Sequence, residues 1–338
     1  MDSLIPLTDL YPARGREGCA DAACSAAEAD SQPVCPGQQM RMTAMSEERK
    51  RLQGKHPCFS LLESDHRLSA RLHLPVSPGC NIQCGFCHRD NSNRSDQRPG
   101  VARRLLTPDQ AVEVVNKALV LCPSLKVVGI AGPGDPLYTD HAVRTFAKIH
   151  AIYPDLIKCV STNGLKLPDR IGELEAAGVQ TLTVTVNAVD PEIERQITSF
   201  AVLDGQRYEG LEAAQLLIAR QLEGIRKAAE RRIVVKINAV LIPGLNEHHI
   251  GQIAHQTAAA GASLINIIPL IPQYRFSSTP APTEEQIQQA RQQAAEYLEI
   301  FGHCKRCRAD AFGIPGLTDL SKQLYEDNEQ LEATFSHG

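Results

Sequence analysis

From Ala70 onward the chain alternates short stretches rich in Val, Ile and Thr with longer helical ones, an order that builds a parallel sheet covered by helices. The expected strands are 71–76, 126–131, 157–161, 180–187, 232–242 and 264–269. Helical stretches lie between them at 141–151, 168–176, 210–229 and 247–260, and another starts at Thr107, where Thr-Pro-Asp supplies an N-cap followed by Pro at the first helical position. Six strand–helix units in about 200 residues suit an α/β fold of the partial (β/α)6 barrel type, since a full eightfold barrel takes ~250 residues. An open doubly wound sheet is the alternative. Buried parallel strands are usually apolar on both faces. Here one face is polar: Arg71 and His73; Thr181, Thr183, Thr185 and Asn187; Lys236 and Asn238. Period two puts each set on one side of its strand. A barrel interior lined in this way has to hold a polar ligand, because an unpaired buried polar group costs ~1–3 kcal/mol. In an open sheet the same faces would meet solvent.

Composition narrows the function. No apolar run approaches the ~18 residues needed to span a bilayer, and the start of the chain has no signal-peptide block. A net charge of −4 and 4% aromatic residues without Trp give no drive toward nucleic acid or anionic lipid. A cytoplasmic protein without nucleic-acid or membrane partners is expected. Eleven cysteines, an odd number with no secretory signal, argue against a disulfide framework and for metal, cluster or redox chemistry. Residues 1–55 read as a flexible leader in which Cys19, Cys24 and Cys35 are incidental thiols. Residues 56–300 carry the barrel and an N-terminal ligand segment, and 301–338 form a cysteine-bearing tail.

Cys80, Cys84 and Cys87 form a CxxxCxxC triplet directly after the first strand. Three thiolates on one loop hold three irons of a 4Fe–4S cubane and leave the fourth open, able to chelate the amino and carboxylate groups of S-adenosylmethionine (SAM). Zinc on a Cys3His set completed by His88 is the rival. Structural zinc more often uses two separated Cys-x-x-Cys pairs, and barrel enzymes place chemistry where this triplet falls. Gly132-Pro-Gly134-Asp135 follows the second strand, Ser161-Thr-Asn163 the third, Thr185 and Asn187 the fourth and Ile242-Pro-Gly the fifth.

Triplet and context resemble the radical SAM superfamily, with Phe86 at its usual aromatic position. That resemblance assigns Gly132, Gly134 and Asp135 to the SAM amino group and Ile242 to adenine, and adds Ser161, Asn163, Thr185 and Asn187 as cofactor contacts. A closer resemblance, over 56 to about 316, is to the NifB family. It rests on His56-Pro-Cys58, Arg98-Pro-Gly-Val101, Gly129-Ile-Ala-Gly-Pro-Gly-Asp-Pro-Leu137, Ser161-Thr-Asn-Gly-Leu165, Asn266-Ile-Ile-Pro-Leu270 and the tail His303-Cys304-Lys-Arg-Cys307-Arg-Ala-Asp310. The resemblance implies carbide insertion and fusion of two auxiliary 4Fe–4S clusters into the eight-iron precursor of the nitrogenase cofactor. One auxiliary cluster would sit on Cys58, His73 and Cys159, the other on Cys304 and Cys307. Implied partners are an iron–sulfur cluster donor, an electron donor of ferredoxin or flavodoxin type, and a cofactor scaffold or carrier protein.

Plainer readings stand beside these. Cys159 alone is a buried strand thiol, His73 a core histidine, and a lone Cys-x-x-Cys a zinc or redox pair. Asn93 stands where the family usually has a further cysteine, which the resemblance implies as third ligand of the second auxiliary cluster. Either another group substitutes (His88, Cys122 or a leader cysteine), the cluster is labile and held by two thiolates, or the chain is a paralogue acting on another substrate. A non-catalytic iron–sulfur carrier is a further alternative. Cys122 reads as packing, His248, His249 and His255 as a solvated helix face, and the stretch after Leu317 as a fraying end.

Overall fold

The computed structural model describes residues 49–60, 68–88, 99–304 and 307–325; Cys19, Cys24, Cys35, Asn93 and Arg98 lie outside the described residues. In chain order the elements are β1 (Ala70–His73), β2 (Ile82–Cys84), α1 (Pro108–Leu121), β3 (Leu125–Ile130), α2 (His141–Ile152), β4 (Ile157–Thr162), α3 (Leu167–Ala176), β5 (Val179–Thr185), α4 (Pro191–Ile197), β6 (Thr198–Leu203), β7 (Gln206–Glu209), α5 (Gly210–Glu230), β8 (Val234–Leu241), α6 (Ile250–Ala260), β9 (Leu264–Pro269), α7 (Glu284–Ala295), β10 (Glu299–Ile300), β11 (Phe312–Gly313) and α8 (Ser321–Tyr325). Thr107 caps α1 through a reciprocal box with Gln110, with Pro108 at the first turn.

The main sheet runs β10-β9-β8-β5-β4-β3-β1-β11. Every pairing is parallel except that of β11 on β1. Register divides the strands into two faces. Leu72, Val128, Val160, Leu182, Val235 and Ile265 pack into one large core with Val115, Phe146, Ile149, Leu174, Ile225 and Ile253 of the helices. The opposite face bears, in one row, His73, Gly129, Cys159, Thr181 and Val234.

That face is concave. β1 and β8 are four strand spacings apart in sheet order, about 19 Å if the sheet were flat. Yet Arg71 of β1 and Lys236 of β8 both reach Cys58. The sheet therefore curls into a partial barrel, as the strand–helix count implies. Its lower end is plugged by Leu52 and Phe59, packed on Val127, Ile157, Val234 and Leu264. Arg49 ties the plug to Glu299 of β10.

Two parts depart from the sequence reading. A second sheet, β2-β6-β7, pairs the triplet strand with a hairpin formed by residues before α5. The tail does not fray throughout: α8 buries Leu324 and Tyr325 in the main core, and the Tyr325 hydroxyl donates to the His73 carbonyl at 2.6 Å. Two bulky apolar contacts outweigh the polar composition around them.

Candidate active site

The triplet lies on a turn clamped from both sides. Gly85 N–H donates to the Ile197 carbonyl (2.7 Å), and Arg275 N–H to the Gly85 carbonyl (3.0 Å). The Gln83 side-chain amide reaches the carbonyls of Cys84 (3.0 Å) and Cys87 (2.9 Å), while that of Gln273 reaches the Phe86 carbonyl (2.6 Å). Phe86 packs with Ala188, Ile197, Ile242 and Leu270. Cys80 is buried, and Asn163 Nδ2 stands 3.5 Å from its sulfur and 2.7 Å from Asn81 Oδ1. None of the three forms a disulfide. Asn81 Nδ2 and Ser77 Oγ, both buried, have no hydrogen-bond partner among the described residues. Three soft thiol donors on one turn, flanked by unsatisfied buried polar atoms, fit a 4Fe–4S cluster with a polar cosubstrate beside it.

The glycine loop passes directly against this turn. Gly134 N–H donates to the Ser77 carbonyl (2.8 Å) and Asp135 N–H to that of Gly79 (2.7 Å). A Cβ on Gly134 would lie 1.9 Å from the Gly79 carbonyl oxygen, so only glycine fits. The Asp135 carboxylate is occupied inside the protein. Thr162 Oγ1 donates to both oxygens (3.0 and 2.9 Å), Asn163 N–H to Oδ2 (2.6 Å) and Leu137 N–H to Oδ1 (2.9 Å). These bonds lock the loop to the end of β4.

Asn187 is similarly engaged, its Oδ1 accepting from Val240 N–H at 3.0 Å. Asn246, fully buried, completes the knot: Nδ2 donates to the carbonyls of Asn187 (2.9 Å) and Val240 (2.8 Å), and Oδ1 accepts from Ile242 N–H (2.8 Å). Gln221 of α5 bridges the carbonyls of Asn163 (2.8 Å) and Thr185 (2.9 Å). Sequence reasoning passed over Asn246 and Gln221, since neither lies on a strand face. His249 corrects it as well: it is buried, not solvated, and Nε2 accepts from Val189 N–H at 3.1 Å. His248 and His255 are exposed as expected. Cys122 packs at the end of α1, its sulfur 3.2 Å from Ser124 Oγ.

Below lies a second set of thiols, in the chamber region where the plug, the inward strand face and the tail meet. Arg71 donates through Nη1 to Cys58 Sγ (2.8 Å) and through Nη2 to Cys307 Sγ. Cys159 packs beside Cys58 at the plug, and His73 Nδ1 lies 3.0 Å from the Arg308 carbonyl. Gly129, between His73 and Cys159 in register, leaves the His73 ring its space: a Cβ there would stand 3.0 Å from the ring. Cys304 is exposed at the edge. Arg71 thus links Cys58 and Cys307, members of two sets that the sequence reading kept apart. Cys159 packs on the same plug, and His73 lies two strands from Cys159. Among the described residues no three His, Cys, Asp or Glu side chains lie close enough to hold a single metal ion.

Electrostatics differ among these groups. Burial raises the Cys58 thiol, but the charges of Arg71 and Lys236 outweigh it and leave the group below its ordinary value. Burial pushes Cys159 and Cys307 up to about 11. Burial, aided by Arg71, lowers His73 to about 4 and keeps the imidazole neutral, the form that binds iron. His56 is held well below its ordinary value by burial and then by Lys236.

A thiol triplet at the carboxyl end of a partial barrel, with a glycine loop beside it, defines a radical SAM enzyme. The Radical SAM superfamily model matches residues 74–257. At the level of fold, a radical SAM methyltransferase from Sphaerobacter thermophilus superposes with a TM-score of 0.50 at 18% identity, over 71% of this chain and 67% of that one. The FeMo cofactor biosynthesis protein NifB of Methanocaldococcus infernus is 44% identical over 276 residues, 81% of this chain and 90% of that protein. The Klebsiella pneumoniae protein of the same name is also 44% identical over 278 residues, but the chain spans only 58% of its length. The chain belongs to the NifB family. Among the described residues no helix is long and apolar enough to cross a membrane.

Proposed function

We propose that this enzyme inserts carbide and fuses two 4Fe–4S clusters into the eight-iron precursor of the nitrogenase cofactor. The observation that carries the reading is the stacking of two thiol clusters in one barrel: Cys80, Cys84 and Cys87 at the carboxyl end, and Cys58, His73, Cys159 and Cys307 in the chamber below. In this reading the triplet holds the resident 4Fe–4S cluster, and the chamber, with Cys304, receives the substrate clusters. When bound, the resident cluster and SAM supply an electron, a methyl group and a 5′-deoxyadenosyl radical.

The chain's own residues bind, orient and shield. Gly132 and Gly134 let the backbone approach the cosubstrate, and Asp135 fixes that loop through Thr162 and Asn163. Ser161, Asn163, Thr185, Asn187 and Ile242 line the carboxyl end, and Phe86 closes the triplet turn against Ile242 and Leu270. Leu52 and Phe59 seal the bottom against water, which a primary alkyl radical requires. An electron donor of ferredoxin or flavodoxin type, a cluster donor and a scaffold or carrier protein complete the cycle.

The test follows the carbon. With methyl-labelled SAM, reductant and reconstituted protein, label is expected in an extractable iron–sulfur product along with 5′-deoxyadenosine. Label in an organic product would instead identify a paralogue, one of the readings left open by Asn93 at the usual cysteine position. No 5′-deoxyadenosine would leave a cluster carrier.

A further inference from the structure

The chamber holds more positive charge than its protein partners balance. Arg71 is 7% exposed and Lys236 6%. Lys236 Nζ donates to the Cys58 carbonyl at 3.2 Å and sits over the rings of Phe59 (4.8 Å) and Phe301 (4.7 Å). Among the described residues neither cation meets a carboxylate. Asp310, the acid closest in sequence to Cys307, is taken by Arg103 and Arg308. Buried cations faced only by thiols, a carbonyl and aromatic rings favour a further anion beside them.

An independent observation gives the same answer. His56 is 1% exposed; its Nδ1 accepts from Cys58 N–H at 3.2 Å, so Nε2 carries the hydrogen. That Nε2 has no partner among the described residues. A buried donor left unmade beside two cations that meet no carboxylate calls for an anionic acceptor. Thiolate-ligated 4Fe–4S clusters carry net negative charge, and their sulfurs accept hydrogen bonds that tune potential and retention. A cavity of about 280 Å³ lined by Arg71, Cys307, Arg308, Gly313, Thr318 and Asp319 gives access from the tail side.

We propose that Arg71, Lys236 and His56 Nε2 form a cradle for the anionic substrate clusters, with Arg71 the positioning residue that spans the thiols of the two auxiliary sites. The proposal rests on the reading that the chamber takes iron–sulfur cargo. Its consequence is that Cys58 and Cys307 are loaded as one coupled unit, because one planar guanidinium touches both.

The experiment compares full-length wild type with Cys58→Ala, Cys307→Ala, Arg71→Met, Arg71→Lys and His56→Phe, all reconstituted anaerobically. It reads iron and sulfide per chain and the midpoint potential of the auxiliary clusters by EPR titration. Arg71→Met is expected to lose more than half of the iron beyond the roughly four atoms of the triplet cluster. Arg71→Lys restores part of that iron, since it keeps charge without the fork. His56→Phe keeps its iron, but its auxiliary clusters shift to lower potential. If both cysteine variants lose iron while Arg71→Met keeps wild-type iron and potential, the cradle is wrong and the cargo reading survives. If neither cysteine variant loses iron, the cargo reading fails and takes the cradle with it. Should Arg71→Met not fold, wild-type iron and potential in both Arg71→Lys and His56→Phe overturn the proposal.

Discussion

Gly134→Ala tests how tightly the cosubstrate loop is built against the triplet turn. The added Cβ would stand 1.9 Å from the Gly79 oxygen, 2.5 Å from its carbonyl carbon and 2.7 Å from its nitrogen. All three are backbone atoms, so no side chain can swing away. Restoring ordinary contact requires the two segments to part by more than 1 Å on the order of a van der Waals overlap, which costs about 1–3 kcal/mol as overpacking. The same movement stretches the 2.8 Å bond from Gly134 N–H to Ser77 and the 2.7 Å bond from Asp135 N–H to Gly79, at about 0.5–1.5 kcal/mol each. A loss of about 2–6 kcal/mol is expected, with Cys80 displaced because it follows Gly79. The assay is anaerobic urea unfolding of the apo-protein, paired with iron retention by the triplet after reconstitution. Gly172→Ala is the control: it lies in α3 with nothing within 4 Å of the new Cβ, and should be neutral or stabilising by up to ~1 kcal/mol. A Gly134→Ala protein within ~0.5 kcal/mol of wild type, and with normal triplet iron, would refute the packing argument.

Other outcomes follow from the same geometry. Asp135→Ala strands the donors of Thr162, Asn163 and Leu137 and should cost about 2–4 kcal/mol by urea unfolding, with weaker SAM binding by calorimetry. Asn246→Ala removes the tie between the ends of β5 and β8 and should destabilise by a similar ~2–4 kcal/mol, read as a lower Cm. Burial raises Glu194 to about 8 against the opposing hydrogen bond from Thr198, so the folded state holds a proton that the unfolded chain releases near pH 4.5. Stability is therefore lost as pH rises from about 4.5 through about 8, roughly 3 kcal/mol of it by pH 7, and Glu194→Gln should flatten this slope in urea titrations. An unchanged slope would place the loss elsewhere.

Much of this site was legible because its signals are local. The triplet spacing is set within eight residues, and period two gave the inward face carrying His73, Thr181, Thr183 and Lys236. What was not legible depends on residues far apart in the chain. Arg71 joins sulfurs 13 and 236 positions away, and no periodicity encodes that. Asp135 carried a charge that suggested a ligand, but only the folded β4 end reveals the donors that satisfy it. His249 read as solvated because the helix was begun at 247; α6 begins at Ile250, which leaves the ring at its cap, turned to Val189. The β6–β7 hairpin escaped because its second strand is short and mostly exposed.

The most direct trial of the account isolates the triplet. In a variant with Cys58, Cys159, Cys304 and Cys307 all replaced by alanine, anaerobically reconstituted and reduced, EPR is recorded before and after adding SAM. A single 4Fe–4S signal that changes on SAM addition, with 5′-deoxyadenosine released, is the expected result. Zinc bound at Cys80, Cys84 and Cys87, or a cluster signal indifferent to SAM, would contradict it.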